Sequence, residues 1–582
     1  MKPGWKLALI ASVGWVGIWF AWTARAEQPM QPEPASGYET RPTAFGSHHM
    51  VVTAHPLASR VADQVLAGGG HAVDAAIAAQ AMLNLVEPQS SGIGGGGFML
   101  VWDARERRVR AYDGRETAPA TAKVGRFQGP EGKPMAFHEA AVGGRSVGTP
   151  GLVAMLELAH RHHGRLAWRD LFQPAIDLAE RGFPVTPRLH KLLMADPFLR
   201  QDVRAGALFY QADGSPIPVG GILRNPDLAR SLRLLAEGGA QEFYQGALAE
   251  QIVAAVGAHP SAPGDLSLSD FAVYRAKERM ALCRDWHVHK VCGMPPPSSG
   301  GIAVLQMLGL LEDERWDFFN PLAVSNIHAF SEAGRLVFAD RAAYLGDPDF
   351  ADVPVSDLLD RAYLERRREA LRPDRSLGRA APGLMRQRET AANAMSWERP
   401  STTHISVVDA EGNGVALTSS IEDVFGSRLM VGGFLLNNQL TDFSFLPAAG
   451  GEVLPNRVEP GKRPLSSMAP TLVMDQDQQL VAVLGSPGGS RIINYVAKAL
   501  IALFDWKLSP ESTLALPHFG SRNGPTELEV GQGLASVGSA LESMGHQIQM
   551  NEMTSGLHLI FRQGQVWQGA ADPRREGLAV GR

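Results

Sequence analysis

The chain has 582 residues, 45% of them hydrophobic and 20% charged, with a formal net charge of −5. That is ample for a large folded core. A mildly acidic balance with no block of Lys or Arg leaves no electrostatic footprint for nucleic acid. Lys2 and Lys6, the apolar run Leu7 to Trp22 and the small-residue site Ala24-Arg25-Ala26 before Glu27 read as a targeting segment. A cleaved signal over 1–26 implies export, to the periplasm if the cell is Gram-negative. The apolar run is short for a spanning helix but long for a signal core, so an uncleaved anchor is the alternative. Residues 27–47 read as a flexible mature N-terminus. A helix begins within Val61 to Leu66 and ends at Gly68-Gly69-Gly70; an Ala-rich helix follows over Ala72 to Leu85. Ser90-Ser91-Gly92-Ile93-Gly94-Gly95-Gly96-Gly97 then runs into a strand, Phe98 to Trp102. Such a run needs positive φ or close backbone approach. It is not a phosphate loop, because no Lys-Ser/Thr follows and the order is helix, loop, strand.

From Pro150 to Tyr363 the pattern is mainly helical, with amphipathic runs at Leu152–His160 and Pro226–Leu235. Cys283 and Cys292 flank a short hairpin. In an oxidising compartment they are expected to form a disulfide, two buried thiols being the alternative. His160, His162, His163, His287 and His289 have no Cys or carboxylate at metal-site spacing, so no metal site is predicted. Arg366-Arg367-Arg368 reads as the solvated face of a helix. Pro295 to Gly301 interrupts the pattern and a helix opens at Ile302; residues 371–401 are polar and linker-like.

At Thr402 the character changes to strands and tight turns. His404–Val408, a turn over Asp409–Gly414 and Val415–Ser419 make a hairpin. A turn centred on Glu411-Gly412 pairs Thr403 with Ser420. Thr402 then starts a sheet strand with the hydroxyls of Thr418, Ser419 and Ser420 close by. A cut before Thr402 would give it both a hydroxyl nucleophile and a free α-amine base. The residues alone equally describe a Thr-rich strand start. A second hairpin, Thr471–Met474 and Leu480–Leu484, leads into Gly485-Ser486-Pro487-Gly488-Gly489-Ser490 and a helix from Arg491. That loop can cap a helix or hold an oxyanion. Sheets from both halves, with helices outside, make a layered α/β protein.

Eight stretches, in order, resemble the γ-glutamyltransferase (γ-glutamyltranspeptidase, glutathione hydrolase) family of N-terminal nucleophile hydrolases. They are Gly92-Ile93-Gly94-Gly95-Gly96, Asp113 to Pro119, Ser146 to Gly151, Met294 to Gly301, Thr402-Thr403-His404, Leu436-Asn437-Asn438-Gln439, Lys462 to Met468 and Gly485 to Ser490. The resemblance implies a four-layer αββα sandwich and a proenzyme that cuts itself between Ser401 and Thr402. The large subunit (27–401) and the small subunit (402–582) stay together as a heterodimer. It implies transfer of the γ-glutamyl group of glutathione-like donors to water or to an amino acid or peptide, with no cofactor and no metal. Thr402 is the implied nucleophile and Ser420 the hydroxyl beside it. Gly488 and Gly489 are the implied oxyanion donors. Arg115, Ser466 and Ser467 would hold the substrate α-carboxylate, and Gln439 and Asp442 its ammonium. Two features depart from the family pattern. Glu422 stands where several members have Asn, and the segment from Asp442 to Ser466 is shorter than in members with a lid over the site. A glutaryl-type or poly-γ-glutamate acylase, or an inactive binding homologue, are the alternatives. An acidic wall of Glu422 and Asp442, with Gln439, favours an ammonium-bearing substrate over a glutaryl one.

Overall fold

A computed structural model describes residues 1, 36–385, 401–531 and 533–582. The expected signal segment, and residues 386–400 of the expected linker, lie outside the described residues. Fourteen strands build two antiparallel sheets. In chain order they are β1 (Ala44–Gly46), β2 (Met50–Thr53), β3 (Gly96–Asp103), β4 (Arg108–Gly114), β5 (Lys277–Met280), β6 (Leu282–Trp286), β7 (His289–Gly293), β8 (Ser401–Val408), β9 (Gly414–Glu422), β10 (Thr471–Met474), β11 (Leu480–Gly485), β12 (His558–Gln563), β13 (Val566–Ala571) and β14 (Leu578–Gly581). The first sheet runs β14-β2-β8-β9-β3-β4-β5, the second β1-β13-β12-β11-β10-β7-β6.

The layering follows from the two-residue period of the strands. Met50, Val52, Phe98, Leu100, Val408 and Ala416 face a core shared with Leu472, Val483 and Leu484 of the second sheet. Their neighbours Val51, Met99, Val101, Val407, Val415 and Leu417 face the opposite way, into a second core with the helices Pro56–Ala67, Ala72–Val86 and Leu152–His163. Helices Gly300–Leu310, Val324–Tyr344 and Ile492–Phe504 contribute to the first core, outside the second sheet. This is the αββα order. Every residue of Ala72–Val86 is buried, which its many Ala side chains permit by letting neighbours approach closely.

Two expectations need correction. The hairpin register is one residue off: Thr403 pairs with Ser419, not Ser420. Asp409 closes the turn, its Oδ1 accepting from Glu411 N at 3.0 Å and Asn413 N at 2.9 Å, so the loop is Asp409–Asn413. The register then shifts between Thr403 and Ser401, which pairs with Glu422. Two residues of β9, Ser420 and Ile421, thus stand opposite Thr402 alone, a bulge at the strand end. The linker also ends early, because Ser401 already belongs to β8. Cys283 and Cys292 lie directly opposite each other on β6 and β7, their sulfurs joined at 2.01 Å. Among the described residues, no helix is long and apolar enough to cross a membrane.

Candidate active site

The bulge gathers three oxygens on the bond before Thr402. Thr402 Oγ1 donates to the Ser401 carbonyl at 2.7 Å and lies 3.2 Å from Ser420 Oγ. Ser420 Oγ donates to the same carbonyl at 2.7 Å and accepts from Glu422 N at 2.9 Å. Ser401 is itself tied down, its Oγ donating to Gln89 O at 2.7 Å. The glycine run at 92–97 is a close approach rather than a positive-φ turn. A Cβ on Gly95 would come within 2.2 Å of the Ser420 carbonyl, so only glycine lets β3 press against the strand carrying Ser420.

The second sheet supplies the facing wall. Beyond β11 the chain turns through Gly488 (φ 134°) and Gly489 (φ 57°) into the helix Ile492–Phe504. A Cβ on Gly488 would meet Tyr495 at 2.7 Å, so both φ and space demand glycine there. Their N–H groups precede a helix, where partial positive charge accumulates. Ser466 and Ser467 are set by the Pro297–Ser299 turn: Ser466 N donates to Pro297 O at 3.1 Å, and Ser299 N and Oγ donate to Ser466 O at 2.7 and 2.6 Å. Arg341, buried in the helix Val324–Tyr344, donates from Nη2 to Ser467 Oγ at 3.0 Å.

Thr402, Ser420, Glu422, Gln439, Asp442, Ser466, Ser467, Gly489, Met468 and Ile492 line one pocket of about 20 Å³, the room of roughly one water. Eight of the expected site residues meet there. Gly488 adjoins it, and Arg115 stands behind Asp442. The Arg115 guanidinium is fully buried; Nη2 donates to Asp442 Oδ2 at 2.5 Å and Leu465 O at 2.6 Å, and Nε to Pro464 O at 3.1 Å. Gln439 Nε2 also donates to Asp442 Oδ2, at 2.8 Å, which leaves its Oε1 as the end able to accept a donor. The Glu422 carboxylate is held by Asn438 Nδ2, while Arg428 pairs with Asp196 and Asp423 instead of Glu422. Glu422 sits at φ 82°, a backbone region that side chains rarely adopt. A far larger groove of about 1240 Å³, lined by Phe198, Arg204 and His259 among others, shares no residue with this pocket. Chemistry, not size, therefore picks out the site.

Sequence reasoning missed several contributors. Glu116 is buried beside Arg115, its Oε2 3.7 Å from Nη1; burial lifts its carboxyl to about 8 against the pull of Arg115. Asn438 and Arg341 position Glu422 and Ser467. Nothing in the local pattern singles out Arg341, because the helix Val324–Tyr344 also carries Glu332, Arg335 and Asp340. Away from the site, His328, Glu332 and His546 cluster. Their ring nitrogens are taken up in a chain: His328 Nε2 to Arg372 O at 2.6 Å, His328 Nδ1 to His546 Nε2 at 2.8 Å, and His546 Nδ1 to Thr526 Oγ1 at 2.7 Å.

Comparison with known proteins fits this geometry. The family described as gamma-glutamyltranspeptidase matches residues 58–582. The chain belongs to that family. Its enzyme relatives include the glutathione hydrolase proenzyme of Bacillus subtilis strain 168, 34% identical, the match covering 100% of this chain and 99% of the relative. The cephalosporin acylase of Bacillus halodurans superposes with a TM-score of 0.80 at 26% identity, covering 95% of this chain and 99% of that one. The γ-glutamyltranspeptidase of Helicobacter pylori gives a TM-score of 0.55 at 32% identity over 58% of this chain and 96% of that one. Family membership and these neighbours make the αββα architecture that of an N-terminal nucleophile hydrolase, and the protein an enzyme of the glutathione hydrolase type with acylase relatives.

Proposed function

We propose that the chain is exported as a precursor, cleaves itself between Ser401 and Thr402, and then transfers γ-glutamyl groups from glutathione-like donors. The observation that carries this reading is the Thr402 hydroxyl held 2.7 Å from the carbonyl oxygen of its own preceding residue, with Ser420 on that same oxygen. In processing, Thr402 Oγ1 attacks the Ser401 carbonyl carbon. A C–O bond forms, the C–N bond breaks, and the proton passes from the hydroxyl to the departing nitrogen. Water then hydrolyses the ester, giving a 27–401 subunit that ends in a carboxylate and a 402–582 subunit that begins with a free amine.

That amine is the base the mature enzyme needs. Its ordinary pKa of roughly 7.7–8.0 suits proton removal from a hydroxyl near neutral pH. Thr402 Oγ1 attacks the γ-amide carbon, and the N–H groups of Gly488 and Gly489 receive the oxyanion. The amine returns the proton to the leaving nitrogen, and water or an amino group takes the γ-glutamyl group from the threonine ester. Arg115, Ser466 and Ser467 bind the α-carboxylate. Glu422, Gln439 and Asp442 bind the ammonium. A donor carboxylate near Arg115 competes with Asp442 for the guanidinium and frees Asp442 toward the ammonium, so the two ends of the substrate are read together. The small pocket of the uncut chain fits a site opened by processing.

Purified protein should run as two fragments on a denaturing gel, the smaller beginning at Thr402 by N-terminal sequencing. Thr402→Ala should remain one uncut, inactive chain. Cleavage at that bond in Thr402→Ala would sink the assignment.

A further inference from the structure

The nucleophile has a second, hidden support on the side away from the pocket. Arg575 Nη1 donates to the Thr402 carbonyl at 3.2 Å. The same nitrogen lies 3.9 Å from Glu87 Oε1, and Arg188 Nε approaches that oxygen at 3.8 Å. All three side chains are 4% exposed or less. Two guanidiniums and a carboxylate are thus packed beneath one residue of β8. Burying such charges is expensive unless they hold one another in place. The loop around Arg575 also reaches the oxyanion wall. A Cβ on Gly556 would meet Arg575 Cδ at 2.5 Å and Pro487 Cγ at 2.9 Å, so Arg575 passes through a gap beside the loop that carries Gly488 and Gly489.

Glu87 is well placed to govern this arrangement. It ends the buried helix Ala72–Val86, its own N–H bonded to Leu83 O at 2.8 Å. The segment it starts braces the reacting corner from two sides. Gln89 O accepts from Ser401 Oγ at 2.7 Å and from Phe425 N at 3.1 Å, and Ser90 O accepts from Ile421 N at 3.3 Å. We infer that Glu87, acting through Arg575, is a positioning residue for the Thr402 nucleophile, fixing the carbonyl and hence the direction of the hydroxyl and amine. This rests on the function proposed above.

The groups facing Glu87 are Arg575 from the C-terminal loop, Arg188 from the helix Pro187–Ala195, Thr403 from β8, Ser90 from its own segment and the more distant Glu576. Burial lifts the Glu87 carboxyl to about 7, against the pull of Arg575. Above that pH the carboxylate anchors the guanidinium. Below it the counter-charge is lost and Arg575 is released from one side. The catalytic amine loses activity on the same side, by protonation near roughly 7.7–8.0. Two protonations therefore limit kcat in acid, where a free amine alone would give one.

The test uses the mature, two-fragment enzyme with γ-glutamyl-p-nitroanilide. Glu87→Gln keeps the shape and removes the titration. It should lower kcat at pH 8 by about tenfold, the scale of a misdirected reacting group, with KM within twofold. The acid limb of log kcat should lose one unit of limiting slope. Arg575→Lys keeps a cation beside Glu87 but shortens its reach; it should lower kcat similarly while retaining the steeper acid limb. A Glu87→Gln profile parallel to wild type, with only the melting temperature reduced, overturns the inference. If Glu87→Gln does not fold, an Arg575→Lys enzyme with wild-type kcat overturns it equally. Neither result touches the proposed function, which fails if the wild type does not turn over the substrate, or if Thr402→Ala turns it over or is cut before residue 402.

Discussion

Glu422→Gln separates recognition of the ammonium from the chemistry. The side chain lines the pocket and its carboxylate is held by Asn438 Nδ2. Glutamine is nearly isosteric and can accept the same bond through its amide oxygen. What disappears is the charge. Asp442 is shared with Arg115 and Gln439, and Glu422 adds a second carboxylate to the same wall. A hydrogen bond to a charged group contributes about 1.5–3 kcal/mol and a neutral one about 0.5–1.5. The difference is about 1–1.5 kcal/mol, or roughly five- to twelvefold at 25 °C. That loss should fall on KM for γ-glutamyl-p-nitroanilide with kcat nearly unchanged, because the ammonium is held alike in ground and transition states. Glutaryl-p-nitroanilide lacks only the amino group, so its kcat/KM should hold or rise, and the ratio between the two substrates should narrow by the same factor. An unchanged ratio would mean that Glu422 only shapes the wall and that Gln439 and Asp442 read the ammonium alone.

Arg115→Lys replaces a fork that reaches Asp442, Pro464 and Leu465 at once with a point charge. Catalytic efficiency on γ-glutamyl donors should fall about ten- to a hundredfold; a change within twofold would remove Arg115 from the carboxylate site. Gly488→Ala combines strained φ with a 2.7 Å clash on Tyr495. It should reduce kcat about a hundredfold or more, as loss of an oxyanion donor does, and a kcat near wild type would assign the oxyanion elsewhere. Replacing Cys283 and Cys292 together by Ala opens a loop with a sequence separation of 9. Stability should drop by less than about 3 kcal/mol, read as a lower melting temperature with kcat unaltered. Two alkylated cysteines in the unreduced wild type would refute the bridge.

The architecture was readable where its signals are local. The apolar runs Phe98–Trp102, Thr471–Met474 and Leu480–Leu484, and the glycines at 488 and 489, each announce themselves within a few residues. The register of β8 on β9 was misread by one position because Asp409 closes its turn asymmetrically. Its Oδ2 is also engaged by Ala72 N at 3.1 Å, from a helix 337 positions away. The bulge opposite Thr402 then brings Ser420 to the hydroxyl anyway, so the right neighbour was reached through the wrong pairing. Arg575 and Arg341 were invisible for the same kind of reason. Each acts on a residue more than 100 positions distant, 173 for Thr402 and 126 for Ser467, and nothing in the short-range pattern marks an arginine as buried.

The order of strands has a consequence for the severed protein. In the first sheet β14, β8 and β9 come from beyond the proposed cut and β2, β3, β4 and β5 from before it; β2 lies between β14 and β8, and β8 and β9 lie between β2 and β3. In the second, four later strands are flanked on one side by β1 and on the other by β7 and β6. Neither fragment owns a complete sheet. Pulling them apart would strip five rows of main-chain pairing, three in the first sheet and two in the second, and leave raw edges throughout. Dilution should therefore never release one piece in folded form, and segment 402–582 expressed by itself should aggregate rather than wait for its mate. The two polypeptides are one fold with a nick in it.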